Sequence, residues 1–468
     1  MTPPDRSAAP KALAHPSLSR GMGVMGALFL TLSAETPASS VFVILPGVVQ
    51  AAGSGALIAM AAAGVVALCM ALTYAELGST FPSAGGEYAI VGTVLGPLAG
   101  FAVLGVNLMN LLLGCAVLSL GVADYLGAVW PGVSPLGAAL GALAIATGLG
   151  VLNIRSSALV TGAFLAVELA ALALVTGLGA AHPVRPLSAL IAHPAVLAAS
   201  GHGLQAVGLG GIATGVVVGL FAYDGYGSAI YLAEEVTDVR RRLVRAVLWA
   251  LAVTAVTELA ALSAVLAGAP DLAGLLAAGD NMISDFATHA GGPLLGQAIG
   301  AGVALAILNA VIALVLITGR QVYATARDGV WPDAAGRALS AIHPRTGAPW
   351  VATLASGALS AGLCLVPMKL LLLLSGSSVT LIYIALACAC LLHGARRATA
   401  PGWKLPLWPA PPLLALVLLI VFAASSLKDG AVSFAVSLAC AAAAALYYRL
   451  VLQPRAGWRL SGPSVEAP

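Results

Sequence analysis

The stretch AETPASSVFVILPG, residues 34–47, interrupts an apolar run that is otherwise long enough to cross a membrane. It contains the carboxylate of Glu35, the helix breaker Pro37 and two adjacent serines, Ser39 and Ser40. Pro37 has no amide proton and its ring clashes with the preceding turn, so we expect the helix to open there and restart in the segment that follows. The first amide groups of the restarted helix would then be unpaired and able to bind an anion such as a carboxylate. A proline kink repaired by neighbouring helices is the alternative.

The composition excludes a water-soluble globular protein. Hydrophobic residues make up 60% of the 468 residues and charged residues only 8%, whereas soluble domains have about 25% charged residues. Glycine is also frequent, at 54 residues, and small residues let membrane helices approach each other closely. The sequence therefore predicts an all-α integral membrane protein with tightly packed helices.

Apolar runs of about 20 residues, the length that crosses a bilayer as a helix, occur along the whole chain. They predict about twelve transmembrane helices, at residues 22–51, 54–78, 92–122, 133–153, 157–180, 206–237, 243–268, 293–326, 349–367, 369–393, 410–427 and 430–452. The first twenty residues contain no apolar core of the signal-peptide type, so the first run is expected to remain as a span.

The basic residues are distributed unequally between the two sides of these spans. With the N-terminus in the cytoplasm, 18 of the 21 Lys and Arg residues fall in inner segments, and only Arg185, Lys369 and Lys428 fall in outer loops. Positive residues favour the cytoplasmic side. We therefore expect a multi-pass protein of the cytoplasmic (inner) membrane with both termini in the cytoplasm.

The sixth span carries a second interruption, GLFAYDGYGSAIYLAEEVTDVRRR, in which Asp224 stands between Tyr223 and Gly225. Glycines beside an acid favour unwinding, and a carboxylate at bilayer depth is usually found facing a wet cavity or a cationic partner. Asp224 is thus a candidate for contact with an amine or a proton. It could equally cap the restarted helix by accepting its backbone amides. The backbone is predicted to lose its helical conformation at Ala38–Val41 and at Tyr223–Ser228.

The interrupted spans, the first and the sixth, lie five spans apart. Because five is odd, two five-helix units in succession must be inserted upside down relative to each other, as in the inverted repeats of many secondary transporters. The predicted parts are an N-terminal cytoplasmic tail, a first repeat, a second inverted repeat, helices 11 and 12, and a C-terminal cytoplasmic tail, at residues 1–20, 21–181, 206–394, 409–452 and 453–468.

Four motifs resemble the amino acid/polyamine/organocation (APC) permeases. The tract ASSVFVILPG, residues 38–47, resembles the small-residue turn of their first helix, and YAELGSTFPSAGGEY, residues 74–88, resembles the exit of their second. LFAYDGYGSAIYLAEEVTDVRR, residues 220–241, is similar to their sixth helix and RQVYATARDGVWP, residues 320–332, to their eighth. The resemblance implies a LeuT-like 5+5 inverted repeat with discontinuous helices 1 and 6, two added helices, and secondary transport of amino acids or related amines.

The resemblance also implies where substrate binds. Ala38, Ser39 and Ser40, followed by Val41, match the turn whose backbone receives the substrate carboxylate in this family. In the sixth helix, the family's aromatic gate corresponds to Phe221, and the carbonyls expected to face the substrate amine belong to Ala222 and Tyr223, next to Asp224. The chain departs from the family's common Gly-Ser-Gly turn, because Ala38 and Ser40 replace both glycines. It also has Gly227 where some members that carry cationic substrates have an acid.

Two buried carboxylates are proton-coupling candidates. Glu168 lies near the middle of the fifth span, where proton-coupled relatives place a lysine, and Glu35 precedes the break in the first span. A carboxyl group in a low-dielectric medium can exchange a proton near neutral pH. This favours coupling to protons over sodium, although Glu168 could instead remain neutral and bond to a neighbouring helix. Glu258 in the seventh span is placed similarly but ranks below Glu35, which adjoins the expected cavity.

Other polar residues have simpler expected roles. Asn107 and Asn110 lie three apart on one helix face and are expected to form inter-helix hydrogen bonds. Glu234 and Glu235 are expected to pair with the following arginines at the inner surface. All six cysteines fall in apolar runs and are expected to pack there, without disulfides, a metal site or a disulfide-linked partner chain.

The sequence has no Walker loop, dinucleotide fingerprint, zinc-type Cys/His spacing or nucleophile elbow, so we expect no cofactor, no enzymatic activity and no nucleic-acid partner. The predicted function is transport of a small amino acid by alternating access, driven by protons in symport. Two alternatives remain open: a transporter or exchanger of amines or polyamines attracted by Glu35 and Asp224, and a sensor of the same fold that binds amino acids but moves nothing.

Overall fold

The computed structural model describes residues 24–82, 85–130, 132–151, 158–198, 203–232, 239–394 and 402–455. Several sequence predictions lie outside these residues. They are the N-terminal tail at 1–20, nearly all of the C-terminal tail at 453–468, and the inner-surface pair Glu234 and Glu235.

The described chain is almost entirely helical, as predicted. In chain order its α-helices are α1 (Val24–Glu35), α2 (Pro37–Ser39), α3 (Leu45–Ala52), α4 (Ala56–Thr80), α5 (Gly86–Leu95), α6 (Pro97–Val129), α7 (Pro135–Val151), α8 (Ala158–Ala181), α9 (Leu187–Ala192), α10 (Leu209–Ala222), α11 (Val239–Gly268), α12 (Leu272–Ala277), α13 (Met282–Gly291), α14 (Pro293–Arg327), α15 (Asp333–Leu339), α16 (Trp350–Leu363), α17 (Met368–His393) and α18 (Ala410–Tyr447).

Shorter elements join or extend these helices. Ser40–Ile44 and Tyr448–Leu452 are π-helical, and Gly53–Gly55, Tyr226–Leu232 and Gly279–Asn281 are 3₁₀-helical. Between α9 and α10, two short antiparallel strands, β1 (Ala195–Leu197) and β2 (Leu204–Ala206), form a hairpin in which Val196 pairs with Gln205.

Nine helical segments among the described residues are long and apolar enough to cross a membrane. Three shorter apolar helices, α5, α7 and α16, accompany them. Large apolar side chains are exposed on the outer faces of these helices, as expected for a surface that contacts lipid. On α11, for example, Val256 is 69% exposed whereas Thr254 and Glu258 are fully buried on the opposite face.

Both predicted boundaries of the third span differ from the structure. The predicted third span, 92–122, begins too early, because α5 ends at Leu95 and α6 starts at Pro97. Gly96 separates them with φ 98°, a conformation that glycine adopts readily, and Pro97 suits the first position of a helix. At its other end, α6 continues to Val129, seven residues beyond the predicted end of the span.

The last two predicted spans, 410–427 and 430–452, lie within one helical segment. It is helical from Ala410 to Tyr447 with no break near Lys428. A straight helix of 38 residues would be about 57 Å long, nearly twice the hydrocarbon thickness of a bilayer. It contains two separate membrane-length apolar windows, Ala410–Lys428 and Gly430–Leu452, which correspond to the two predicted spans.

Glycines bring helix backbones into direct contact, as the composition predicted. A Cβ atom built on Gly179 of α8 would lie 2.2 Å from the carbonyl oxygen of Ala264 on α11. Similarly, a Cβ on Gly376 of α17 would lie 2.4 Å from the carbonyl oxygen of Val217 on α10. Larger residues at these two glycines would force the helix pairs apart.

Candidate functional site

The first interruption is a single residue in the left-handed conformation. Helix α1 ends at Glu35, and Thr36 has φ 45° and ψ 79°. Pro37 then occupies the first position of α2, where its missing amide proton breaks no helical hydrogen bond. The break thus lies at Thr36, two residues earlier than the predicted Ala38–Val41, which is helical. The reason is that a proline disfavours helical conformation in the residue before it and tolerates it in itself.

The side chain of Glu168, which belongs to α8, lies at the start of the restarted helix α2. The backbone N–H of Ala38 donates to Glu168 Oε1 at 2.7 Å, and the Thr36 hydroxyl donates to the same oxygen at 3.0 Å. The Thr36 and Ser39 hydroxyl oxygens lie 2.8 Å apart, completing a small polar cluster. The prediction that the first amides of this helix are unpaired is therefore wrong for Ala38, since a carboxylate of the protein already lies at the positive end of the helix dipole.

The second interruption follows the end of α10 at Ala222. The N–H of Asp224 donates to the Phe221 carbonyl at 3.1 Å, closing a turn, and Gly225 has φ 140°. The chain then continues as the 3₁₀-helix Tyr226–Leu232. The glycine beside Asp224 thus provides the break expected from the sequence, because few other residues adopt this conformation.

The two interruptions touch each other. The Ser40 hydroxyl donates to the carbonyl oxygen of Ala222 at 2.8 Å. On the other side of both breaks, a Cβ atom built on Gly225 would lie 2.5 Å from the Cα of Glu35. The unwound parts of the first and sixth predicted spans therefore form one unit in the middle of the bundle.

A cavity lies beside this unit, between α1, α6, α14 and the 3₁₀-helix. The space, including the part that opens to solvent, is about 680 Å³. Three of the predicted site residues, Glu35, Phe221 and Asp224, line it. The other predicted site residues lie outside its lining, at Ala38, Ser39, Ser40, Val41, Glu168, Ala222 and Tyr223.

The polar lining of the cavity is acidic. Three carboxyl groups face it, from Glu35, Glu87 and Asp224, and no Lys, Arg or His lines it among the described residues. Asp224 is held by neutral donors: Asn110 Nδ2 lies 3.2 Å from Oδ2, and the Tyr383 hydroxyl lies 3.3 Å from Oδ1. Such a cavity favours a ligand with a positively charged group.

The remaining wall is apolar. It is formed by side chains of the π-helix, α6, α10 and α14, namely Ile44, Leu111, Leu118, Phe221, Leu314 and Ile317. Acidic groups on one wall and aliphatic groups on another suit a small molecule with a cationic end and an apolar body.

Glu87 is a lining residue that the sequence analysis did not single out. The Tyr74 hydroxyl donates to its Oε1 at 3.0 Å, and Tyr231 and Asn107 both donate to Oε2, the latter at 3.1 Å. Asn107 Nδ2 also lies 3.3 Å from Oε1 of Gln321 on α14. The signal was present in the motif GGEY, residues 85–88, but one residue in a short motif does not reveal which helices meet around it.

Both asparagines of α6 bond between helices, as predicted, and both also line the cavity. Asn107 reaches Glu87 on α5, and Asn110 reaches Asp224. Their spacing of three residues places them on one helix face, and that face turns out to be the wall of the cavity.

The lining of the cavity includes residues on both sides of the two interruptions. Ala34 of α1 and Tyr231 of the 3₁₀-helix lie on one side, and Ile44 and Phe221 lie on the other. On the side of Ile44, the Tyr125 hydroxyl donates to the Phe42 carbonyl at 2.9 Å, and Gln50 donates to Asp280 at 2.6 Å.

Comparison with known proteins identifies the family. A family model described as amino acid permease matches residues 22–446. The chain is 32% identical over 351 residues to an uncharacterized transporter of Mycobacterium tuberculosis, covering 74% of each chain. It is 24% identical over 410 residues to the branched-chain amino acid permease BcaP of Bacillus subtilis, covering 86% of this chain and 87% of that one. It is also 29% identical over 406 residues to the large neutral amino acids transporter small subunit 2 of Homo sapiens, covering 82% and 70%. The chain therefore belongs to the amino acid permease family and is a membrane transporter rather than an enzyme.

Proposed function

We propose that the protein moves a small amino acid across the cytoplasmic membrane by alternating access, as a secondary active transporter coupled to protons. The observation that carries this proposal is the joined pair of helix interruptions beside a cavity with acidic and apolar walls. Interrupted helices near the middle of a membrane are where secondary transporters bind their substrates.

We also propose how the spans are arranged. Twelve spans would form two inverted five-helix units, residues 21–181 and 206–394, followed by helices 11 and 12 at 409–452. The positions of the breaks, in the first and the sixth predicted spans, support this arrangement. The excess of Lys and Arg in alternate loops supports cytoplasmic termini and insertion in the inner membrane.

The substrate amine is proposed to lie between Asp224 and Glu35. Both carboxyl groups line the cavity, and Asp224 already accepts two hydrogen bonds from fixed neighbours, so its position is set before substrate arrives. The substrate side chain would pack on the aliphatic wall near Leu111 and Leu314. Two relatives are named for branched-chain and for large neutral amino acids, which supports an apolar side chain.

The substrate carboxylate is proposed to approach the start of α2, next to Ser39 and Ser40. The Glu168 carboxylate already accepts a hydrogen bond from the Ala38 amide there, so it would repel a second negative charge. Protonation of Glu168 removes that repulsion and weakens its hold on Ala38. Substrate binding and proton binding would therefore favour each other, which is the requirement for symport.

Alternating access is proposed to break and re-form contacts on the Ile44 side of the two interruptions. Opening that side would separate Gln50 from Asp280 and Phe42 from Tyr125.

An amine or polyamine transporter or exchanger is a second candidate. The specific observation in its favour is the set of three carboxyl groups around the cavity, with no cationic side chain among the described lining residues to receive a substrate carboxylate. A sensor that binds an amino acid without moving it would need only the same cavity.

Uptake by the purified full-length chain in liposomes tests these functions. Labelled neutral amino acids and amines are offered with and without an imposed pH gradient. Concentrative uptake of a neutral amino acid that requires the gradient is the expected result. Selective uptake of amines lacking a carboxylate would favour the second candidate, and binding without accumulation would favour the sensor.

A further inference from the structure

The polarity of the cavity changes along α6, the helix that forms one of its walls. Asn107 and Asn110 line the cavity nearer the N-terminus of this helix, and Leu111 and Leu118 line it further along. From Asn107 to Leu118 the helix rises by about 16 Å. Asp224 accepts a hydrogen bond from Asn110 and therefore lies between a polar end and an apolar end of the cavity.

Glu87 lies at the polar end. Its Oε2 accepts a hydrogen bond from Asn107 Nδ2 at 3.1 Å, whereas Asp224 Oδ2 accepts one from Asn110 Nδ2 at 3.2 Å. The two asparagines are three residues apart on one helix face, which separates them by about 4.5 Å along the helix axis. The carboxyl groups of Glu87 and Asp224 therefore follow each other along the same wall of the cavity.

The 3₁₀-helix repeats this spacing on a second wall. Ser228 and Tyr231 belong to it, and both line the cavity. Residues three apart in a 3₁₀-helix lie one above the other. The Tyr231 hydroxyl donates to Glu87, and the backbone N–H of Ser228 donates to the carbonyl oxygen of Gly225, the residue after Asp224. The 3₁₀-helix thus places Ser228 on the path from Asp224 to Glu87.

Two polar atoms on this path have no partner among the described residues. They are Asn110 Oδ1 and the Ser228 hydroxyl, and both residues line the cavity. Asn110 is only 5% exposed, and its Nδ2 must face Asp224 because a carboxylate only accepts hydrogen bonds, so Oδ1 is the end left free. Buried polar groups are otherwise hydrogen-bonded, so these two atoms mark a place where a ligand binds.

Glu87 is fixed in place but not neutralised. Tyr74 donates to its Oε1 at 3.0 Å, and Tyr231 and Asn107 donate to Oε2. An ionised carboxylate has about four acceptor positions, so these three donors leave one position on Oε1. All three donors are neutral, and no Lys, Arg or His lines the cavity among the described residues. A positive charge beside Glu87 would therefore come from the ligand.

We propose that Glu87, together with the Ser228 hydroxyl, forms a second subsite for a positively charged group, about one helical turn from the amine subsite at Asp224. The cavity then binds ligands with two cationic ends, such as a basic amino acid or a diamine. The first amine rests on the proposed function, whereas the second subsite follows from the contacts of Glu87. Two carboxyl groups that share a cavity repel each other, and a ligand with a positive charge at each end balances both. A neutral amino acid places its side chain at the apolar end instead.

Matched ligands test the second subsite. L-Lysine and L-norleucine have the same side-chain carbon chain, and only lysine carries a second ammonium group. Binding of each to the purified full-length chain in detergent is measured by isothermal titration calorimetry. Glu87→Gln is expected to weaken binding of L-lysine by about tenfold to a hundredfold, the value of a charge-assisted hydrogen bond, and to change that of L-norleucine by less than about twofold. 1,4-Diaminobutane and n-butylamine repeat the comparison without a carboxylate.

Two further variants separate charge from structure. Ser228→Ala keeps Glu87 intact and should weaken L-lysine binding by about twofold to tenfold, the value of a typical hydrogen bond, and it decides the case if Glu87→Gln does not fold. Glu76→Gln is the matched control, because Glu76 is also buried, lies outside the cavity lining and accepts a hydrogen bond from the backbone N–H of Leu405. It should leave the ratio of the two affinities unchanged.

Equal weakening of L-lysine and L-norleucine by Glu87→Gln would overturn the proposal, because Glu87 would then only hold helices together. Binding of L-norleucine without any binding of L-lysine or 1,4-diaminobutane would also overturn it and would leave the proposed amino acid transport standing. Binding of 1,4-diaminobutane that Glu87→Gln abolishes, with no amino acid bound, would support the second subsite and contradict amino acid transport. Absence of binding by all four ligands would overturn both.

Discussion

The backbone N–H of Ala38 donates to the carboxylate of Glu168 at 2.7 Å, across 130 residues of sequence. Helix α8 is thereby tied to the first turn after the break in the first span. The same oxygen accepts the hydroxyl of Thr36, whose left-handed conformation forms the break. A single carboxyl group therefore contacts both the residue that forms the break and the first turn after it.

Replacing Glu168 separates its structural role from its charge. Glu168→Ala leaves the Ala38 amide without an acceptor, and an unsatisfied buried donor costs about 1–3 kcal/mol. Glu168→Gln keeps a carbonyl acceptor but cannot carry a proton. We expect thermal unfolding in detergent to show a lower midpoint for Glu168→Ala than for Glu168→Gln. Glu168→Gln should in turn lose the pH dependence of uptake, and full retention of proton-driven accumulation would remove Glu168 from coupling.

Gly225 should not tolerate a side chain. Its φ of 140° and the 2.5 Å approach of a built Cβ to Glu35 both oppose Gly225→Ala. We expect this variant to reach the membrane in reduced amount and to transport at least about tenfold more slowly, the consequence of losing about 1.4 kcal/mol. The matched control is Gly148→Ala in α7, where nothing lies within 4 Å of the added carbon and helix propensity favours alanine. Equal transport by the two variants would contradict the close approach of the two breaks.

Asp224 is expected to recognise the substrate amine. Asp224→Asn removes a charge-assisted hydrogen bond, worth about 1.5–3 kcal/mol, so the KM for the transported amino acid should rise by about one to two orders of magnitude. Tyr383→Phe removes a donor to Asp224 and the acceptor of the Tyr226 hydroxyl but leaves the charge of Asp224, so its effect on the KM should be smaller. The measurement is initial uptake at several substrate concentrations. An unchanged KM in Asp224→Asn would place the amine elsewhere.

Ser40 should stabilise the contact between the two interruptions. Ser40→Ala leaves the Ala222 carbonyl without its 2.8 Å donor, at a cost of about 1 kcal/mol. We expect a modestly lower unfolding midpoint and an altered exchange rate. Ser426→Ala is the comparison, since the Ser426 hydroxyl donates only to a carbonyl of its own helix, Ala423. An effect of Ser40→Ala no larger than that of Ser426→Ala would show that this contact contributes little.

The break positions illustrate how far local sequence reasoning extends. Pro37 and Gly225 act on their own backbone, so an interruption near each could be predicted. The first break nevertheless fell at Thr36 instead of Ala38–Val41, because proline restricts the residue before it more than those after it. The family resemblance, which rested on four motifs in order, was confirmed.

The residues that line the cavity were harder to predict from the sequence. Glu35, Phe221 and Asp224 were named from their own segments and line it, but Glu87 was not, because its importance comes from Tyr74, Tyr231 and Asn107 on three other segments. Conversely, Ala38 was expected to offer a free amide and is bound by Glu168. The partner of a hydrogen bond donor depends on which helix packs against it.

The sequence by itself determined that the chain is a helical membrane protein, that its first and sixth predicted spans are interrupted near Pro37 and Gly225, and to which family it belongs. These properties follow from composition, from residue spacing and from the conformational limits of proline and glycine, which act within a few residues. Only the tertiary structure decided that Glu168 accepts a hydrogen bond from the Ala38 amide of the restarted helix, and that three carboxyl groups share one cavity. The physical reason is that burial and electrostatic neighbours arise from helices distant in the chain, and no local pattern of residues specifies which of them meet.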